Sequence, residues 1–188
     1  WMGIPSPKGA YMAKRMIVAM AVALSVSPAA TEPNDVHNVD MAVTIGFSGL
    51  DLDKDFGQVE LAVIYKLEPF RVWSNGWTLG FRPGAGIAAL RGHEQTGVLA
   101  VSRPALVLAE RNDRISLQAA SGPTVIYPHR YRNRDFGGPV QFVSRVGFCL
   151  KPGPQITLGY YRQHMSNAGI YELNPGLNLR CVEFKWGF

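Results

Sequence analysis

The residues best placed to do chemistry in this 188-residue chain lie close to its end. His164 stands two positions before Ser166, and Asn167 and Gly169 follow directly. On a β-strand, residues i and i+2 point the same way, so His164 and Ser166 are expected side by side on one face. An imidazole in that position can take the proton of a hydroxyl group. The spacing therefore predicts a serine nucleophile with its general base.

The elements that must hold this pair are strands. Eight segments of the chain alternate between apolar and polar or small residues, which is the period of a half-buried strand. They cover residues 41–47, 59–67, 77–87, 98–109, 115–127, 142–150, 156–166 and 178–188. Loops are predicted at 50–57, 91–97, 129–138 and 168–176, and Pro104 interrupts the fourth segment. No helical pattern lies between the segments.

Eight antiparallel strands without helices are typical of a closed up-and-down β-barrel, which leaves no exposed sheet edge. One face of the segments is rich in Val, Leu, Ile, Phe and Trp. The other face carries Gly, Thr and Ser together with charges of both signs, namely Glu60, Lys66, Arg82, Arg114, Arg145, Glu183 and Lys185. A soluble barrel would turn the charged face outward. Aromatic residues near the strand ends favour the reverse arrangement, an all-β transmembrane barrel with its apolar face toward lipid.

Residues 1–29 predict a signal peptide with an upstream extension. Lys14 and Arg15 precede a largely apolar run, 16–26, and small residues at 27 and 29 suit cleavage after Ala29. Met12 is the favoured start, and a short buried helix is the alternative interpretation. Residues 30–188 then form one barrel domain. Cleavage removes three of the 19 basic residues, leaving 16 against 14 acidic ones, so the net charge of +2 gives no reason to expect nucleic-acid binding.

Connection lengths predict the orientation of the barrel. Short turns at 110–113 and 151–154 are expected on the periplasmic side, and the longer loops outside. The seventh strand then runs outward and places His164 and Ser166 level with the outer leaflet, with the same parity as its lipid-facing residues. Cys149 and Cys181 are separated by this strand, which predicts two free thiols facing the lumen because bridging needs Cα atoms within about 7 Å.

The run His164–Gly169, followed by Asn174–Gly176, resembles the motif of the PagL family of outer-membrane lipid A 3-O-deacylases. The strong match covers about the last 30 residues, and the eight-strand plan extends it over the mature chain. The resemblance implies a barrel whose active site lies on its outer wall, with Ser166 as nucleophile and His164 as base. No cofactor is expected, and no set of metal ligands is visible in the sequence.

The chain departs from the family at the third member of the site. The acid of the family is a glutamate just after Asn-Pro-Gly, and here Asn178 has that position and parity. An amide oxygen can still accept a hydrogen bond from His164 and orient it, as in Cys-His-Asn proteases, although it stabilises imidazolium less well. Glu172, in the preceding loop, is the alternative carboxylate.

The predicted reaction is acyl transfer from an ester, with the oxyanion held by backbone N–H groups of Asn167–Gly169 or by the Asn174 amide. The expected partners are lipid A of lipopolysaccharide and outer-membrane lipids, and a homodimer is left open. Arg162, Arg180 and the loop arginines at 130, 132 and 134 are candidates for lipid A phosphates, or simply for anchoring to lipopolysaccharide. Two other functions stay open, a non-enzymatic structural or adhesion barrel and an esterase acting on phospholipid.

Overall fold

The computed structural model describes residues 38–48, 56–132 and 134–188, which all belong to one unit of the chain, His37–Phe188. The predicted signal peptide, residues 1–29, lies outside these ranges, and so does most of the loop expected at 50–57. Within the described ranges, no helix is long and apolar enough to span a membrane.

The described residues form thirteen strands, and eight barrel positions account for all but the three shortest, which have two residues each. The strands are β1 Val39–Phe47, β2 Gly57–Tyr65, β3 Arg71–Val72, β4 Trp77–Arg82, β5 Gly84–Gly92, β6 Gln95–Ser102, β7 Ala105–Glu110, β8 Ile115–Tyr127, β9 Arg130–Tyr131, β10 Arg134–Asp135, β11 Val140–Leu150, β12 Ile156–Ser166 and β13 Leu177–Gly187. Strands β4 and β5 occupy one barrel position, interrupted at Pro83. Strands β6 and β7 occupy the next, interrupted at Arg103 and Pro104, because proline cannot donate to a ladder.

The sheet closes on itself through antiparallel pairs. Strand β1 pairs with both β2 and β13, and β11 pairs with both β8 and β12. The remaining neighbours follow in the order β2, β5, β6 and β8, with β4 and β7 continuing β5 and β6. The predicted eight-stranded antiparallel barrel is thus confirmed, and each strand of the site has a hydrogen-bonded neighbour on both sides.

The alternation along the strands gives the barrel an apolar outer wall and a charged centre. Leu61 and Val63 are about half exposed on the outer wall, whereas Glu60, directly before Leu61, and Glu183 of β13 are fully buried inside. Glu60 forms ion pairs with Arg103 and Arg145, and Arg103 also reaches Glu183. The predicted direction of the two faces is confirmed, and the internal charges are compensated by partners, as buried charges must be.

The inner face is not polar along its whole length. At the end of the barrel that carries residues 128–139 and 167–176, here called the loop end, the interior is filled by a hydrophobic cluster. The segment 129–138 is predicted as a polar loop, yet it folds back so that Tyr131 and Phe136 are buried with their ring centroids 5.9 Å apart, edge to face. Leu90, Leu99 and Ile126 are fully buried around them. The packed side chains at the loop end therefore support the loops that connect the strands there.

One predicted loop is wrong. Strand β5 continues to Gly92 and β6 begins at Gln95, so the expected loop 91–97 is a two-residue hairpin turn. Both turn residues have positive φ, 47° at His93 and 68° at Glu94. Two-residue hairpins need such backbone angles, which Asn and Gly favour, so a His-Glu pair gives no sequence signal for the turn. The prediction for the cysteines is confirmed, since Cys149 and Cys181 are free and buried in the interior.

Candidate active site

Strands β12 and β13 place His164 and Asn178 directly opposite each other on the outer wall near the loop end. Their side chains are joined by a hydrogen bond of 2.9 Å between His164 Nδ1 and Asn178 Oδ1. An amide oxygen can only accept, so the shared proton belongs to Nδ1 and the lone pair of the neutral ring lies on Nε2. The Asn178 contact therefore selects the tautomer in which Nε2 can act as a base.

Ser166 ends strand β12 on the same face as His164, opposite Phe142 of β11, and its side chain is partly exposed. Within the described part of the chain, no hydrogen bond links His164 to Ser166. Such a bond is often long without substrate and tightens in the reacting complex. The structure thus brings together the predicted serine, histidine and asparagine on one stretch of the outer wall.

Asn167, directly after the serine, holds the β12–β13 loop in shape. Its side chain is fully buried, and Nδ2 donates to the carbonyls of Phe136 and Leu173, at 3.1 and 2.6 Å. Its Oδ1 accepts the N–H of Gly169, at 2.9 Å. The Asn167 backbone N–H donates to Asn174 Oδ1 at 3.0 Å. Asn167 therefore attaches the β12–β13 loop to the packed residues at the loop end.

These bonds narrow the choice of oxyanion donors. The N–H groups of Asn167 and Gly169 are already engaged inside the loop. Among the hydrogen bonds of the described residues, none uses the N–H of Ala168, which has a φ of 54°, or Nδ2 of Asn174. Because Asn174 Oδ1 is fixed by the Asn167 N–H, its amide group is held in one orientation. Ala168 N–H and Asn174 Nδ2 are the donors that the loop leaves available.

The turn that precedes β13 lies against the imidazole ring of His164. Gly176 has a φ of 62°, and a Cβ added to it would lie 3.0 Å from His164 Cε1. Arg134 donates from Nη2 to the carbonyls of Pro175, at 3.3 Å, and of Gly176. Its guanidinium lies over the rings of Phe56 and Phe136, at 5.8 and 5.6 Å from their centroids. Arg134 therefore links the turn to the aromatic side chains at the loop end. The sequence does not reveal this role, because Arg134 and Gly176 are far apart in the chain.

The other loop arginines are also engaged with the protein. Arg130 Nε lies 2.6 Å from Asp135 Oδ2, and Arg132 pairs with Glu94 at 3.2 Å. Asp135 accepts the N–H of Gly137 at 2.9 Å, and this bond, with the contributions of His129 and Arg130, holds the pKa of that carboxyl below its ordinary value. The positive charges of Arg130 and Arg132, which are candidates for lipid A phosphates, are therefore balanced by carboxylates of the protein itself.

Glu172, the alternative acid, lies elsewhere. Its side chain is exposed on the β12–β13 loop and lines a depression with His93, Arg134 and Asp135. No contact joins it to His164 in the described ranges. The structure thus brings Asn178, and not Glu172, to Nδ1 of the histidine. Across those same ranges, no group of three or more His, Cys, Asp and Glu side chains converges as metal ligands would.

A groove of about 250 Å³ runs along the outer wall beside the histidine. Its side chains include His164, Asn178, Arg162, Arg180 and Val146. A second, almost entirely apolar groove of about 500 Å³ shares Val146 and Arg162 with it and continues between strands β7, β8 and β11. The polar pair therefore stands at one end of an apolar surface, where an amphiphilic ester can place both its parts.

Comparison with known proteins gives consistent matches. Residues 57–186 match the family described as Lipid A 3-O-deacylase (PagL). Over 78 residues, the chain is 35% identical to the lipid A deacylase PagL of Bordetella bronchiseptica, covering 40% of this chain and 43% of that relative, less than half of its length.

Two solved structures share the fold. The crystal structure of the outer membrane enzyme PagL superposes with a TM-score of 0.69 at 20% identity, over 79% of this chain and 99% of that one. A de novo designed transmembrane β-barrel superposes with a TM-score of 0.53 at 10% identity, over 82% and 98% of the two chains.

Proposed function

The chain belongs to the lipid A 3-O-deacylase (PagL) family, and from that premise we propose that it is an outer-membrane esterase that removes the 3-O-linked acyl chain of lipid A. The observation that carries the proposal is the bond between His164 Nδ1 and Asn178 Oδ1. It leaves Nε2 as an acceptor on the same outer face as Ser166. The residues therefore have the order that a serine hydrolase needs, with an orienting group, a base and a nucleophile.

The reaction begins when Ser166 Oγ attacks the ester carbonyl while His164 Nε2 takes the hydroxyl proton. Ala168 N–H and Asn174 Nδ2 stabilise the negative charge that develops on the carbonyl oxygen. The intermediate collapses, the C–O bond to the lipid breaks, and His164 returns its proton to the leaving alcohol. Water, deprotonated by the same imidazole, then hydrolyses the acyl-serine and releases the fatty acid.

The position of the site on the wall suits a substrate that never leaves the bilayer. A lipid in the outer leaflet can present its ester to Ser166 from the side, with an acyl chain along the apolar groove that begins at Val146 and Arg162. The tight connections 111–114 and 151–155 lie at the other end of the barrel, as periplasmic turns do. We therefore assign the loop end to the cell exterior and the active site to the outer leaflet.

The proposal is tested by expressing the protein in cells that make hexa-acylated lipid A and measuring lipid A and phospholipids by mass spectrometry. The wild type is expected to yield lipid A that lacks one acyl chain, and Ser166→Ala is expected to leave lipid A intact. Ser102→Ala, an outward serine at the end of β6 on a distant part of the wall, is the matched control and should behave as wild type. Unchanged lipid A with wild type would refute the proposal, and loss of acyl chains from phospholipid alone would assign the phospholipid activity instead.

A further inference from the structure

Two arginines lie side by side on the outer wall, one register step from the catalytic pair. Arg162 of β12 is directly opposite Arg180 of β13, and His164 is directly opposite Asn178 on the next step toward the loop end. Both arginine side chains are exposed, and both line the groove of about 250 Å³ that also contains His164 and Asn178. Residues two apart on a strand are separated by about 7 Å. The two guanidinium groups are therefore part of the same surface as the site.

Among the residues that the structure describes, no carboxylate balances these two charges. In the described ranges, neither Arg162 nor Arg180 has a hydrogen bond or an ion pair with another residue. Apart from His164 and Asn178, their outward neighbours are apolar, namely Phe47, Val146, Tyr160 and Val182. By contrast, Arg130 and Arg132 pair with carboxylates in the loops, and Arg103 and Arg145 do so in the interior.

This arrangement is unfavourable unless something outside the chain balances it. Like charges directly opposite each other on neighbouring strands destabilise a sheet, and charges that face lipid are costly. Guanidinium groups form bidentate hydrogen bonds with phosphate, and their long stems let the heads reach toward the polar surface of a bilayer. A phosphate lying between two such groups would satisfy both of them.

We propose that Arg162 and Arg180 form an anion subsite that binds a phosphate group of the lipid whose ester reaches Ser166. The inference rests on the proposed function, which supplies the substrate. It adds that the outer wall of the barrel recognises a phosphate group of that substrate. The spacing of one register step suits a phosphate and an ester carried on the same headgroup. Binding the phosphate fixes the headgroup, so the ester meets Ser166 in a defined orientation.

The test measures binding apart from hydrolysis. The Ser166→Ala protein, folded in detergent, is titrated with micelles containing lipid A, and in parallel with the same lipid after removal of its phosphates. Arg162→Gln combined with Arg180→Gln is expected to weaken binding of the phosphorylated lipid roughly 10- to 100-fold and to leave the phosphate-free lipid unchanged. Arg114→Gln, at an exposed arginine at the opposite end of the barrel, removes one positive charge outside the proposed subsite and should change neither value.

Three results overturn the subsite. One is equal affinity of the double variant and its parent for the phosphorylated lipid. Another is an equal loss for both lipids, which would indicate altered packing rather than phosphate recognition. The third is competition by inorganic phosphate at the same concentration as lipid phosphate, which would make the pair a site for free anions. Heat-dependent migration on a gel checks that each variant is a folded barrel.

The subsite and the esterase activity can fail separately. If the wild type cleaves lipid A but the arginine variants bind and cleave it as well as the parent, the subsite is wrong and the activity stands. If the wild type cleaves no lipid A but binding still depends on phosphate and on both arginines, the activity is wrong and the subsite stands. In the expected case, KM for phosphorylated lipid A rises in the double variant while kcat changes little, because the arginines hold a group remote from the reacting bond.

Discussion

His164 is held by an amide rather than by a carboxylate, and this determines how well the imidazolium formed in the reaction is stabilised. The Asn178 oxygen fixes the Nδ1–H tautomer through a bond of 2.9 Å, so the geometry of a base is present. A carboxylate in the same place would add a charge–charge attraction as the ring is protonated. We therefore expect an active enzyme that works below the rate this scaffold could support.

Replacing Asn178 with glutamate is predicted to raise kcat about 10-fold, because a charge-assisted hydrogen bond stabilises the imidazolium by roughly 1.4 kcal/mol more than a neutral one does. The measurement is the initial rate of fatty-acid release from lipid A at saturating substrate. Glu172→Gln is the paired variant and should leave the rate unchanged. An unaffected rate in Asn178→Glu together with a lost rate in Glu172→Gln would show that Glu172 is the acid.

Gly176 allows the turn before β13 to lie against the imidazole. Gly176→Ala is predicted to lower kcat, because the methyl group would press on His164 Cε1 from 3.0 Å and turn the ring away from Ser166. Gly76→Ala is the matched control, since Gly76 also has positive φ, 86°, but its added Cβ would meet Arg111 Cβ at an ordinary 3.5 Å. Both variants should lose about 1–2 kcal/mol of unfolding free energy from backbone strain. If kcat fell equally in both, the contact with His164 would have no special effect.

At the scale of elements, the site depends on a loop and a turn that are tied to the mouth of the barrel. The β12–β13 loop is anchored by Asn167, and the turn at 174–176 is tied down by Arg134, which itself packs on Phe56 and Phe136. In the proposed mechanism, the strands therefore supply the nucleophile and base, while the loops hold the oxyanion donors and one side of the imidazole.

Arg134→Lys is predicted to lower kcat several-fold with little change in KM. Lysine keeps the charge but cannot bridge two carbonyls and two aromatic faces as the planar guanidinium does. Arg132→Lys, at a neighbouring exposed residue paired with Glu94, is the control and should retain wild-type kinetics. Steady-state kinetics on lipid A in detergent decides the outcome. Unchanged kinetics in Arg134→Lys would mean that only the positive charge matters, as expected for a phosphate contact.

The elements were predictable wherever two-residue alternation was strong. The segment 156–166 alternates clearly from Ile156 to Tyr160 and is confirmed as β12, and His164 points outward as its parity predicts. The turn at His93 and Glu94 was missed because neither residue type signals positive φ. The fold-back of Tyr131 and Phe136 was missed because short strands with arginine neighbours look polar, and the contacts of Arg134 were missed because they join distant parts of the chain.

Across the whole molecule, side chains fill the interior of the described barrel. Its centre holds Glu60 and Glu183 against Arg103 and Arg145, and its loop end is packed with apolar and aromatic side chains. The side chains that fill the interior oppose inward movement of the strands. We therefore expect the outer wall that carries the candidate site to keep its shape. The proposed chemistry therefore belongs to the outer surface of the barrel.

Glu60→Gln is predicted to destabilise the barrel by about 3 kcal/mol, because it leaves two buried guanidinium groups without one of their carboxylates. Glu94→Gln removes a carboxylate from an ion pair in which both side chains are 62% exposed, and should cost less than about 1 kcal/mol. Urea unfolding of both variants, refolded into the same detergent, measures the difference. Equal losses would contradict the view that the buried guanidinium groups of Arg103 and Arg145 depend on the Glu60 carboxylate.

The central claim is that Ser166, activated by His164, cleaves the 3-O-linked chain of lipid A. It is tested most directly by incubating the purified, folded protein with purified lipid A and locating the lost acyl chain by tandem mass spectrometry. We expect wild type to remove one acyl chain, from the 3-O position, and Ser166→Ala or His164→Ala to remove none. Cleavage at another position, or equal cleavage by Ser166→Ala, would contradict it.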